Sequence, residues 1–252
     1  MAKRKRRISP HYTLDILKFI LRCSFFIYVC ILYIKNKIVG SPLIFGKEGQ
    51  RPLVWIIAWC ILLGEMILRF YPTVLSTIGS KKQLKSTFVP TKESTPKPST
   101  PRWRVRLLAT LWISANLAIG ILYLARIIDA GILILLSLLY SIGDMVCLLI
   151  FCPFRSWFLG NRCCADCRIY NWDYPMMFTL FIFIPHLYTW SLLGLSLVLL
   201  TIWEISAKRH PERFAENTNA ALSCKNCKDK PCRHARRIAK KYKMANKNNI
   251  GT

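Results

Sequence analysis

Aspartate and glutamate are scarce in this 252-residue chain: twelve of them face thirty-seven lysines and arginines, leaving a net charge of +25. Histidine is scarcer still, at four residues, which argues against a histidine-ligated haem or di-metal centre. No G-x4-G-K-[ST], G-x-G-x-x-G, H-E-x-x-H or G-x-S-x-G run occurs, so the familiar phosphate loops, zinc-protease helices and nucleophile elbows are absent. There is no internal repeat. What remains is largely apolar. Hydrophobic residues make up 53% of the chain, yet mean hydropathy is only +0.30 because basic segments separate long apolar runs. Segregation of that kind excludes an ordinary soluble enzyme, a disordered chain and a small disulfide scaffold. It predicts an all-α fold: a polytopic integral membrane helical bundle of four to six hydrophobic segments, with a cysteine-rich juxtamembrane loop and a basic C-terminal tail.

Composition divides the chain into seven stretches. Residues 1–15 open with the basic cluster MAKRKRR. Residues 16–71 hold apolar runs at 16–34 and 53–71 and read as a transmembrane hairpin. The first run is too long for a signal peptide and no small-residue cleavage site follows it. Lys18 and Arg22, near its start, are expected to snorkel to lipid headgroups. Residues 72–106, with VPTKESTPKPSTP near their centre, are a Pro/Ser/Thr/Lys-rich linker of semi-extended character. Residues 107–151 form a second hairpin around a turn at 126–129. Residues 152–174 are an aromatic, cysteine-rich loop whose Trp157, Phe158, Tyr170, Trp172 and Tyr174 suit a membrane surface. Residues 175–203 are a long hydrophobic segment broken at Pro185, and residues 204–252 are a basic, cysteine-containing tail.

Charge sets a topological problem. The N-terminal cluster, the linker and the tail are all rich in Lys and Arg, which puts all three in the cytoplasm. Two spans before the linker satisfy this, but three spans after it export the tail. Three solutions stand open. The last segment folds back at Pro185 as helix–break–helix, or the first run lies in the interface, or five plain spans leave the tail outside.

Eleven cysteines fall into two groups. Cys23, Cys30, Cys60 and Cys147 lie in apolar runs, where thiols behave as small hydrophobes. The others cluster as Cys152 with Cys163, Cys164 and Cys167, and as Cys224, Cys227 and Cys232 with His234. A C-x2-C pair turns two thiolates toward one metal ion, and a tetrahedral site needs two more ligands. Cys164, Cys167, Cys224 and Cys227 therefore make a candidate zinc or iron–sulfur site joining loop to tail, with Cys163, Cys232, His234 and Cys152 as further candidates. Two separate sites, or redox-active thiols beside Arg162, Arg168, Lys225 and Lys228, are the alternatives.

Charged residues inside apolar runs are costly and call for a reason. Glu65 has Arg69 four residues on. Asp144 has no partner within its own run, although Asn116 on the preceding span is placed to face it, so Asp144 is the candidate for proton or ion handling. In the tail, Arg236, Arg237, Lys240 and Lys241 suit anionic lipid headgroups, and no nucleic-acid module accompanies them. The combined expectation is a multi-pass, non-enzymatic membrane protein with both termini cytoplasmic, a metal-organised cytosolic end and a surface for a protein partner. A membrane redox or thiol–disulfide protein and a small transporter centred on Asp144 are the alternatives. If the shared site exists, protein purified anaerobically carries about one zinc per chain without colour, or iron and sulfide with broad visible absorbance. Metal analysis and an absorption spectrum check this, and a metal-free preparation removes the ligand reading.

Overall fold

The computed structural model describes residues 10–39, 52–71, 78–97, 100–160 and 167–223. Among these residues seven α-helices run in order: α1 Pro10–Val39, α2 Pro52–Leu68, α3 Ile78–Gln83, α4 Arg102–Leu124, α5 Ala130–Leu149, α6 Asp173–Phe178 and α7 Leu187–Arg209. No strand is present among the described residues, apart from one isolated antiparallel bridge between Pro90 and Asn219. Regions of α1, α4, α5 and α7 are long and apolar enough to cross a membrane, and α2 is a shorter apolar helix. The outward faces of these helices carry Ile27 and Ile31, Ile57 and Ile61, Ile113 and Leu117, and Val198 and Ile202, a surface suited to lipid chains.

Local chemistry sets the helix boundaries. Proline occupies the first helical position of α1 and of α2, where its missing N–H costs nothing. Asp129 caps α5 by accepting the Ile132 N–H at 3.0 Å. The α4–α5 turn is closed by Ile127 N–H donating to the Leu122 carbonyl at 3.0 Å, with Arg126 in a left-handed conformation at φ 59°. Both oxygens of Asp129 are engaged, since Tyr33 (3.0 Å) and Lys37 (2.7 Å) of α1 donate to the other one. Burial alone would raise the Asp129 pKa, but Lys37, the Ile132 N–H and Tyr33 outweigh it and hold it below the ordinary carboxylate value.

The segment after the aromatic loop is interrupted. Six α-helical residues and the 3-10 stretch Thr179–Phe183 together rise only about 19 Å, well short of a hydrocarbon core of about 30 Å. Pro185 then stops the helix, because it has no N–H to donate and pushes Ile184 to an extended ψ of 89°. The freed groups are satisfied locally. Thr189 Oγ1 donates to the Ile184 carbonyl at 2.6 Å, and His186 Nδ1 accepts the Tyr188 N–H at 3.4 Å as α7 begins. This short segment packs against α4, α5 and α7 and supplies Tyr174, Met177, Phe178, Leu180, Phe181 and Ile184 to the buried core.

The break returns the chain to where it started. Trp172 Nε1 near the start of α6 donates to Glu204 near the end of α7 at 2.8 Å, so the segment and α7 run antiparallel. The stretch after α7 then meets the linker: Thr91 N–H donates to Thr218 O at 3.1 Å and Ala220 N–H to Val89 O at 2.8 Å. Asn219, fully buried, donates to the carbonyls of Lys82 (3.1 Å) and Arg213 (2.8 Å). Asn217 donates to Glu93 (2.7 Å) and to Thr95 O (2.8 Å), and accepts the Lys97 N–H (3.1 Å). Far from being only a semi-extended spacer, residues 80–97 are held by the backbone and asparagine side chains of residues 217–220, which the composition of the linker could not reveal. One end of the bundle, here the linker end, thus gathers the linker, the loop before α6 and the start of the tail. The opposite end holds the α4–α5 turn and the end of α1.

Gly120 of α4 lets the interrupted segment approach, because a Cβ there would run into the ring of Phe183. Gly120→Ala is expected to cost about 1–3 kcal/mol. Pairing it with Phe183→Ala should recover part of that loss, as a non-additive term in a double-mutant cycle of thermal unfolding in detergent.

Candidate functional site

Four helices bring six charged side chains together near the linker end. Glu65 of α2 accepts from Arg22 of α1 at 2.8 Å and from Tyr174 of α6 at 3.1 Å, and pairs with Lys18 at 3.3 Å. Arg22 also donates to the Ser141 carbonyl of α5 at 3.1 Å and lies 3.6 Å from Asp144. Just beyond α2, Arg69 forms a two-pronged pair with Asp173, one arm at 2.7 Å, and its guanidinium lies over the Tyr174 ring at 4.4 Å from the centroid. Three cations and three anions balance, as low-polarity surroundings require. Burial would lower the Arg69 pKa, but the Asp173 carboxylate opposite it raises it further above its ordinary value.

Two sequence expectations are corrected by this network. Glu65 does not pair with Arg69 along its own helix; it takes Arg22 and Lys18 from α1, while Arg69 turns to Asp173. Lys18 and Arg22 do not snorkel outward, because Glu65 draws them inward. Asp144 does have a partner, supplied by a helix that a run-by-run reading cannot see. Asn116 is buried, but its amide donates to the Trp112 carbonyl at 2.9 Å and its oxygen has no hydrogen bond among the described residues.

Asp144 differs from the other two acids of the network. Glu65 and Asp173 each accept close hydrogen bonds, whereas Asp144 has its 3.6 Å ion pair and no hydrogen bond among the described contacts. Its side chain keeps 28% of its exposure and lines a cavity of about 580 Å³. The cavity wall is mostly apolar. Trp112 and Tyr140 lie 4.7 Å apart between centroids, Phe154 stands edge-on to Trp112 at 6.5 Å, and Met176 and Met177 come from α6. Cys147, Cys152 and Cys167 also line it. The site therefore offers aromatic and sulfur-bearing walls and one carboxylate with spare acceptor capacity.

Of the candidate metal ligands, Cys163, Cys164, Cys224, Cys227, Cys232 and His234 lie outside the described residues, as do the headgroup candidates Arg236, Arg237, Lys240 and Lys241. Cys167 is buried in a small cluster with Leu108, Leu159 and Ile169. Among the described residues no group of three or more His, Cys, Asp or Glu is arranged to hold a metal ion. Sequence reading missed Asp173 and assigned Tyr174 to the membrane surface, whereas Tyr174 is buried against Glu65 and Arg69; the signal available for both was their place at the start of the broken segment. No family model, no curated protein and no solved structure matches the chain.

Removing one partner from a buried ion network leaves its counter-charge stranded. Glu65→Ala, which strands Arg22 and Lys18, is expected to lose about 3–5 kcal/mol, and Glu65→Gln, which keeps an acceptor for Arg22 and Tyr174, distinctly less. Thermal unfolding of the two variants in detergent checks the order.

Proposed function

We propose that this chain is a multi-pass membrane protein that binds a small, mainly apolar ligand in the Asp144 cavity, the ligand carrying a hydroxyl or other hydrogen-bond donor. The single observation that carries the reading is the Asp144 carboxylate, ion-paired to Arg22 at 3.6 Å but without a hydrogen bond among the described residues, facing an apolar cavity of about 580 Å³, within the usual range for small-molecule sites. An unsatisfied acceptor in apolar surroundings favours a donor, and aromatic walls favour a flat or hydrocarbon body. A binding or carrier role fits better than catalysis by the bundle alone.

In this reading the linker end faces the cytoplasm, since the basic linker and the start of the basic tail share it. The basic residues of the tail then lie against anionic headgroups. A second reading keeps the cysteine-ligated zinc or iron–sulfur site at this same face and a protein partner docked on it. What favours it is that Cys167 and the start of the tail lie at one end, as a shared site needs.

The binding reading is tested with 4-butylphenol and 4-butylanisole, which differ by the O–H. A hydrogen bond to a carboxylate contributes about 1.5–3 kcal/mol, roughly 10- to 100-fold in affinity. The phenol should therefore stabilise the purified protein against heat at lower concentration than the ether. Asp144→Asn should shrink that gap. Equal effects of the two compounds on the unmodified protein would remove Asp144 as the anchor.

A further inference from the structure

The end of α5 brings two thiols into this cavity. The helix stops at Leu149, and Phe151 N–H donates back to Val146 O, five residues earlier, at 3.1 Å, so the last turn widens and folds Cys152 back toward Cys147. Cys147 hydrogen-bonds to the Cys152 sulfur, which also accepts the Arg155 N–H at 3.4 Å as the π-helical turn Phe154–Leu159 begins. Neither cysteine is in a disulfide, and both line the cavity with Asp144, which lies one turn before Cys147 on α5.

We infer that Cys147 and Cys152 form a redox-active dithiol that exchanges two electrons with a lipid-soluble quinone held in the cavity. This rests on the ligand reading of the Asp144 cavity and names the class of its occupant. A quinone dissolves in the bilayer, its ring suits the walls made by Trp112, Tyr140 and Phe154, and its reduced form carries the O–H donor that Asp144 lacks. The step balances. Two S–H bonds break and one S–S bond forms; the two electrons and two protons pass to the quinone oxygens, and hydroquinone leaves. The chain around Cys152, residues 150–153, lies outside α5 and before the π-helical turn.

The environment prepares one sulfur for this chemistry. The hydrogen bond from Cys147 first, then the Arg155 N–H and guanidinium, hold the Cys152 pKa down to about 6 against the opposing effect of burial. A substantial thiolate fraction at neutral pH follows.

The test uses the full chain in lipid nanodiscs, reduced and then freed of reductant without air. Duroquinone is the probe, because every ring position is methylated and thiols cannot add to it. The expected result is about one hydroquinone per chain and a mass loss of two hydrogens in the peptide carrying Cys147 and Cys152. Cys147→Ser and Cys152→Ser should each slow hydroquinone formation at least ~10-fold, while Cys23→Ser/Cys30→Ser/Cys60→Ser leaves it unchanged. A disulfide mapped in the unmodified protein to other cysteines, or no reaction with duroquinone while diamide joins Cys147 to Cys152, overturns the proposal, and neither outcome depends on a variant folding. Asp144→Asn separates the two readings. If it leaves the phenol preference intact but duroquinone still forms the Cys147–Cys152 bond, the anchor reading fails and the dithiol stands.

Discussion

A helix that stops partway cannot be left exposed to hydrocarbon, because its unpaired backbone groups would have no water to meet. The segment 173–184 obeys that constraint, and much of the bundle is arranged around it. Pro185 ends the helix, Thr189 and His186 satisfy the groups freed at the break, and α4, α5 and α7 cover the segment. Gly120 removes a side chain so that Phe183 fits. Because the segment is short and α7 turns back along it, the start of the tail reaches the linker, and the two are joined through Asn217 and Asn219.

The same segment explains the charges. Asp173 and Tyr174 at its start reach Arg69 and Glu65 at the end of α2, and Glu65 in turn draws in Lys18 and Arg22 of α1. Between helices in lipid, hydrophobicity contributes no attraction, so polar contacts and close packing must hold them. Asp129, clasped by Tyr33 and Lys37, fixes α1 to α5 at the opposite end. α1 is thereby pinned at two levels, about four turns apart, with lipid-suited residues on its outer face.

Elements set by local chemistry were legible in the sequence, and pairings between distant elements were not. Apolar runs, the tight turn before Asp129 and the interruption at Pro185 follow from hydropathy and from the geometry of proline. The positive charge of linker and tail also pointed to a folded-back last segment, as one of three solutions. Glu65 misled because Arg69 stands four residues away on the same face, yet tertiary geometry offered each a better-placed partner. Asp144 was marked as unusual, but Arg22 lies well over a hundred residues before it. The linker looked incapable of order because its partners, the backbone and asparagine side chains of residues 217–220, lie far away in the sequence and leave no trace in its composition. Among the cysteines, spacing drew attention to the C-x2-C pairs, while Cys147 and Cys152 meet only because α5 ends between them.

The joint between linker and tail has a consequence for biosynthesis. The Val89 N–H waits for the side chain of Asn219, synthesised 130 residues later. Until then residues 89–97 lack the groups that hold them, although Ser80 and Gln83 already have Asn171 to meet. Closure of this joint is then a late event, and a chain truncated before residue 217 would keep the charge network between its helices but leave residues 89–97 unfastened.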